Sequence, residues 1–138
     1  MQLTWTPALR IGHEEIDQQH IALFDHFHDF INGCSKGEAR ETLIELHDRL
    51  KEYAEHHFAA EESLMQQVNY PDLDLHRRKH QSFRQRLAEI RQQISTEGPT
   101  LMTIIQTNKA LVTWLVQHVQ DLDQNFGDFL KKNPPGPA

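Results

Sequence analysis

The stretch L-I-E-L-H-D-R-L-K-E-Y-A-E-H-H-F-A-A-E-E-S-L-M, residues 43–65, decides the fold. Leu43, Leu46, Leu50, Tyr53, Ala54, His57, Phe58, Glu61, Leu64 and Met65 recur mostly in steps of three and four, the spacing that gathers side chains on one stripe of an α-helix. The pattern runs on to about residue 67 and predicts a helix of almost thirty residues. Two positions on its apolar stripe, His57 and Glu61, are polar and stand one helical turn apart.

Upstream, residues 13–33 repeat the pattern with Ile16, His20, Leu23, Phe24, Phe27, Phe30 and Ile31. Asn32-Gly33 reads as the stop signal and Ser35-Lys36-Gly37 as the turn. Downstream, Pro71 in Asn69-Tyr70-Pro71-Asp72 cannot continue a helix interior and disfavours the α region at Tyr70. A third helix then runs through Leu75, His76, His80, Phe83, Leu87, Ile90 and Ile94, and stops before Glu97-Gly98-Pro99. A fourth starts near Thr100, a candidate cap, and holds Leu101, Ile104, Ile105, Leu111, Leu115, His118, Leu122, Phe126 and Phe129. Long helices joined by short turns predict an all-α antiparallel up-down-up-down four-helix bundle. The whole chain, 1–138, reads as one domain: an N-terminal arm at 1–12 containing Trp5, Leu9 and Ile11, the bundle at 13–132, and a flexible proline-rich tail at 133–138.

The remaining composition narrows the class. With 14 Lys+Arg against 20 Asp+Glu the chain carries a formal charge of −6, which offers no electrostatic footprint for nucleic acid or an anionic membrane. The first residues lack a basic and apolar leader pattern, and no stretch of about 18 apolar residues occurs, so no membrane insertion is expected. The single Cys34 excludes an internal disulfide and fits a reducing, cytoplasmic setting. No surplus apolar face calls for a partner copy, and a monomer is expected.

The informative number is ten His. His20, His57, His76, His80 and His118 fall on apolar stripes, so every helix points at least one imidazole inward. The i,i+4 pairs His57/Glu61 and His76/His80 each put two side chains on one face, within reach of one metal ion or of adjacent ions. A lone inward His is ordinarily a hydrogen-bonded core residue. Five of them with a carboxylate would each cost on the order of 1–3 kcal/mol if unsatisfied, whereas a shared metal site satisfies all of them together. His13, His26, His28, His47 and His56 read as surface residues. Asp17 and Glu62 read as surface acids or as acids that orient imidazole N–H groups. Ligand types alone also admit zinc or manganese.

The motifs I-D-Q-Q-H (16–20), H-F-A-A-E-E (57–62), Y-P-x4-H-x3-H (70–80) and H-V-x3-D (118–123), with Trp5 and Ile11-Gly12 ahead of them, resemble the hemerythrin family in its single-domain bacterial form. The resemblance spans nearly the whole chain and implies two iron ions (Fe2+/Fe3+) with an oxo or hydroxo bridge. His76, His80 and His118 would hold one iron, His20 and His57 the other, with Glu61 and Asp123 bridging. Five imidazoles, two bridging carboxylates and one bridging oxygen leave one vacancy in two octahedra, on the iron with two His. Leu23, Phe58, Trp114, Leu115 and Val119 would line the O2 pocket beside it. His118 and Asp123 are five apart, about 140° around an ideal helix, so Asp121 shares His118's face better. Following the family pattern to Asp123 predicts a π-type widening over 118–123 or a bridge reached from the flank.

The function expected is reversible O2 binding for transport, storage or delivery, without enzymatic turnover, with delivery to an O2-consuming acceptor protein as one route. The competing classes are an O2, redox or NO sensor, for which this length leaves no room for an output domain, and a diiron enzyme with peroxidase-like activity or an iron store.

Overall fold

The amphipathic stripes become long helices that enclose a polar layer. A computed structural model describes residues 5–98 and 100–135, with the backbone alone for 101–105, 107 and 108. Among these residues a short 3-10 turn at Pro7–Leu9 precedes α1 (Glu14–Ser35), α2 (Arg40–Gln67), α3 (Leu73–Glu97) and α4 (Leu101–Gln117); a π-helical stretch at His118–Asp123 then leads into α5 (Gln124–Lys132). Gln117 and Gln124 keep α-helical angles, so α4, the π stretch and α5 form one continuous rod. α1 packs on α2 and α4, α2 on α3, and α3 on α4. That ring of sequential neighbours, joined by short turns, is the antiparallel four-helix bundle.

The helix ends show which turn signals act. Gly37 has φ +68°, Gly37 N–H donates to Cys34 O, and Glu38 N–H donates to Gly33 O. These two bonds form a left-handed cap at Gly37, so α1 runs on to Ser35 rather than stopping at the expected Asn32-Gly33. Gly33 serves packing instead: a Cβ there would lie 2.8 Å from Leu46 Cδ1 and 3.3 Å from Leu43 Cδ2. The end of α2 repeats the cap with Asn69 at φ +55°, Asn69 N–H to Gln66 O and Tyr70 N–H to Met65 O. Pro71 follows, where it cannot extend the helix.

The N-terminal arm is anchored rather than draped. Asp17 accepts the Ile11 and Gly12 N–H groups at 2.8 and 3.3 Å, and Gln124 Nε2 donates to Leu9 O and Arg10 O. Ile11 is buried with Ile16, Leu64, Met65, Tyr70, Phe126 and Leu130. Gly127 admits this close approach, since a Cβ there would lie 2.4 Å from Ile11 O. Residues 1–4 of the expected arm and 136–138 of the expected tail lie outside the described residues.

A second, larger core contains Leu23, Phe27, Phe30, Phe58, Phe83 and Leu115 among others. In α1 the smaller cluster takes Ile16 and the larger Leu23, with His20 between; in α2 the larger takes Ala54 and the smaller Leu64, with His57 and Glu61 between. The polar side chains therefore form a layer separating two apolar cores. One surface expectation fails here. His47 is fully buried, with Nε2 2.7 Å from Leu87 O and Nδ1 3.1 Å from Asp48. It lies four residues after Leu43 and three before Leu50, which is the core face of α2. No described helix is long and apolar enough to cross a membrane.

Candidate metal centre

Each bundle helix delivers its polar residues by spacing. α1 supplies His20; α2 supplies His57 and Glu61 one turn apart; α3 supplies His76 and His80 one turn apart. The π stretch supplies His118 and Asp123. A π turn closes i to i+5 rather than i to i+4, which brings residues five apart onto one face. The widening expected over 118–123 is thus present, and it selects the acid: Asp123 is fully buried, whereas Asp121 is exposed.

All seven residues converge. His20, His57, Glu61 and Asp123 offer ligand atoms within 4.8 Å of one another, as do Glu61, His76, His118 and Asp123. His80 joins through Nε2, which lies 3.4 Å from Glu61 Oε1 and 3.2 Å from His118 Nε2. The two carboxylates divide their oxygens. Glu61 Oε2 faces His57 at 3.2 Å and His20 at 3.7 Å, and Asp123 Oδ2 faces His20 at 3.0 Å. Glu61 Oε1 faces His76 and His80, both at 3.4 Å, and Asp123 Oδ1 faces His76 at 3.0 Å and His118 at 3.2 Å. Two imidazoles therefore lie at one end, three at the other, and each carboxylate spans both.

Most of these short contacts are not aligned hydrogen bonds. Both Glu61 oxygens, Asp123 Oδ2 and both ring nitrogens of His20 are buried without a hydrogen-bond partner among the described residues. Such atoms cost free energy unless something satisfies them. Nitrogen and oxygen atoms 3–4 Å apart that do not point at one another point at shared positions between them, and cations at those positions would satisfy the set. The donors, imidazole nitrogen and carboxylate oxygen, suit first-row divalent ions.

The electrostatics agree. Burial alone would neutralise both acids, but the surrounding imidazoles hold Glu61 and Asp123 well below the carboxylate range. Burial likewise works against a charged imidazole at His20 and His118. The carboxylates of Asp123 and Glu61 outweigh it and push His20 up to about 10 and His118 up to about 9. For His57 burial wins and its value falls. The layer thus holds two buried negative charges that call for compensating positive charge.

Two imidazoles have partners behind them. His57 Nδ1–H donates to Gln19 Oε1 at 2.9 Å, and His80 Nδ1–H donates to Glu62 Oε2 at 2.8 Å. These bonds turn the Nε2 atoms toward the layer. Glu62 thus takes the orienting role among the readings open for it, whereas Asp17 anchors the arm. Gln19 escapes a reading that looks for acids, although it sits three after Ile16 and four before Leu23, on the core face of α1. Of the expected wall, Leu23, Phe58, Leu115 and Val119 are buried and Trp114 is partly so. The Phe58 ring stacks on His80 at 3.9 Å and lies 6.0 Å from His57, while Trp114 stacks on His118 at 4.4 Å. Both aromatic rings therefore pack against the three-histidine end. His28 and His56 are exposed; His13 and His26 are half-buried.

Fold and site together define a helical bundle built around a buried layer of residues able to hold cations. The family model described as Hemerythrin HHE cation binding domain matches residues 11–130. The chain is 33% identical over 132 residues to a bacteriohemerythrin of Stenotrophomonas maltophilia (strain R551-3), covering 94% of this chain and 82% of that one. It is 28% identical over 122 residues to a myohemerythrin of Theromyzon tessulatum, covering 88% of each. A solved crystal structure of a leucine-to-phenylalanine mutant matches the fold with a TM-score of 0.80 at 25% identity, over 93% of this chain and 97% of that one. The chain belongs to the hemerythrin family.

Proposed function

We propose that this protein binds O2 reversibly at a non-haem diiron centre and serves to carry, store or deliver it. Membership of the hemerythrin family, whose matching model is described as cation binding, supports a binding protein over an enzyme. The observation that carries the reading is the division of Glu61 and Asp123 between a two-histidine and a three-histidine group. His20 and His57 would hold one iron, His76, His80 and His118 the other, with both carboxylates shared. A pair of irons held there would supply reversible two-electron chemistry toward O2.

The residues' own contributions follow from placement. The two-histidine end offers one nitrogen donor fewer, so a small ligand is accommodated there. Leu23, Leu115 and Val119, buried in the larger core, keep bulk water from the layer. Phe58 and Trp114 hold the His80 and His118 rings in plane by stacking. Gln19 and Glu62 fix the ring orientation of His57 and His80.

The test is to load the chain with ferrous iron anaerobically, admit O2, remove it, and follow absorption and iron content. Two irons per chain and a spectrum that forms and reverses support the reading. One iron or none, or immediate irreversible oxidation, overturns it.

A further inference from the structure

The five inward imidazoles are not supported alike from behind. His57 leans on a neutral amide, Gln19, at 2.9 Å. His80 leans on a carboxylate, Glu62, at 2.8 Å. The Nδ1 atoms of His20, His76 and His118 have no hydrogen-bond partner among the described residues. Glu62 is therefore the one anion hydrogen-bonded behind the imidazoles of the layer among those residues, and it stands at the three-histidine end. Its second oxygen, Oε1, accepts from Arg77 Nε at 3.3 Å, and Arg77 Nη1 lies 3.9 Å from the exposed Asp74. Glu62 is 19% exposed and the His80 side chain fully buried, so the chain His80–Glu62–Arg77 runs from the layer to the surface.

An anionic acceptor on Nδ1–H draws the proton toward itself and makes Nε2 a stronger donor; a neutral amide does so less. A guanidinium on the same carboxylate takes back part of that charge. We propose that Glu62, acting through His80 and moderated by Arg77, is the positioning residue that makes the three-histidine end the stronger metal donor and biases it toward the more highly charged ion. Gln19 leaves the two-histidine end the weaker donor. The inequality of the two positions thus comes from the carboxylate behind one of them as well as from the count of histidines. Arg77 sets its size from the surface, where a charge change need not disturb the buried layer.

This rests on the diiron reading above, and the experiment separates the two. Glu62→Gln and Arg77→Gln are made in the full chain, with circular dichroism to check folding. Cobalt(II) is titrated into the metal-free proteins, and the midpoint potentials of the iron-loaded proteins are measured. Glu62→Gln is expected to weaken cobalt binding at one of two positions by roughly 10- to 100-fold and to raise the midpoint potential. Arg77→Gln is expected to move both in the opposite direction, which damage to packing would not do. Unchanged affinities and potentials in both variants, or shifts of the same sign, overturn the proposal. A parent chain that binds no cobalt overturns the diiron reading itself. Should Glu62→Gln not fold, Glu62→Asp and Arg77→Gln carry the same opposed comparison.

Discussion

At the residue scale the decisive assignment is Asp123 over Asp121. The two acids are two positions apart, yet one is fully buried against His20, His76 and His118 and the other faces solvent. Asp123→Ala is expected to lose most bound iron and Asp121→Ala to retain it, as read by metal analysis of the purified proteins. Iron retained by Asp123→Ala and lost from Asp121→Ala would reverse the assignment. The same layer has a pH signature. His20 and His118 rise from 6.5 to about 10 and about 9, so in the metal-free fold they lend stability that is complete below pH 6.5 and lost as pH climbs through 9 to 10. Glu61 and Asp123 are depressed, and their support disappears under acid instead. Chemical denaturation of the metal-free protein should show lower stability at pH 10 than at pH 7. Loading metal at pH 7 should release about two protons per chain, measurable by calorimetry in buffers of different ionisation enthalpy.

At the scale of elements, packing contacts explain the two glycines inside helices, Gly33 and Gly127, whereas Gly37 serves a turn. Gly127→Ala would gain about 1 kcal/mol of helix propensity, but its Cβ meets a backbone oxygen at 2.4 Å that cannot move without lifting the arm. A net loss of about 1–2 kcal/mol is expected, with faster amide exchange at Ile11 and Gly12. An unchanged denaturation midpoint would show that the arm adapts. The sequence made the helices and their inward histidines legible because both depend on a period of 3.6. Gly33 reads as a stop, yet its role is a contact with Leu43 and Leu46 on another helix, which no local pattern records. His47 and Gln19 are different. Both sit on the core face by spacing, but His47 has no ligand partner in the pattern and so reads as surface, and Gln19 is neither apolar nor a ligand type and so carries no signal. The π widening was legible only because the family pattern placed Asp123 where helical arithmetic placed Asp121.

At the scale of the whole molecule, a polar layer cuts the apolar core into two clusters: the larger joins α1 to α4, and the smaller seats the arm against α1, α2 and α5, so the layer between them is the part of the interior not held by apolar contacts. Metal that binds the folded state stabilises it by about 2.7 kcal/mol at a concentration one hundred times its dissociation constant. Chelation should therefore lower the thermal midpoint on the order of ten degrees for a chain of this size, and re-addition of metal should restore it. Equal midpoints with and without metal would mean that the layer is tied together by its protein contacts alone.

The π stretch at His118–Asp123 carries one residue more than an α-helix of the same rise, so everything beyond it is turned by about 100°. That turn brings Asp123 to the layer, and it also sets the phase of α5, aiming Phe126, Gly127 and Leu130 at the arm and the smaller core. Asp123 and the seat of the N-terminal arm are thus timed by a single inserted residue. Any redesign that regularises this helix by deleting it would rotate both out of place together.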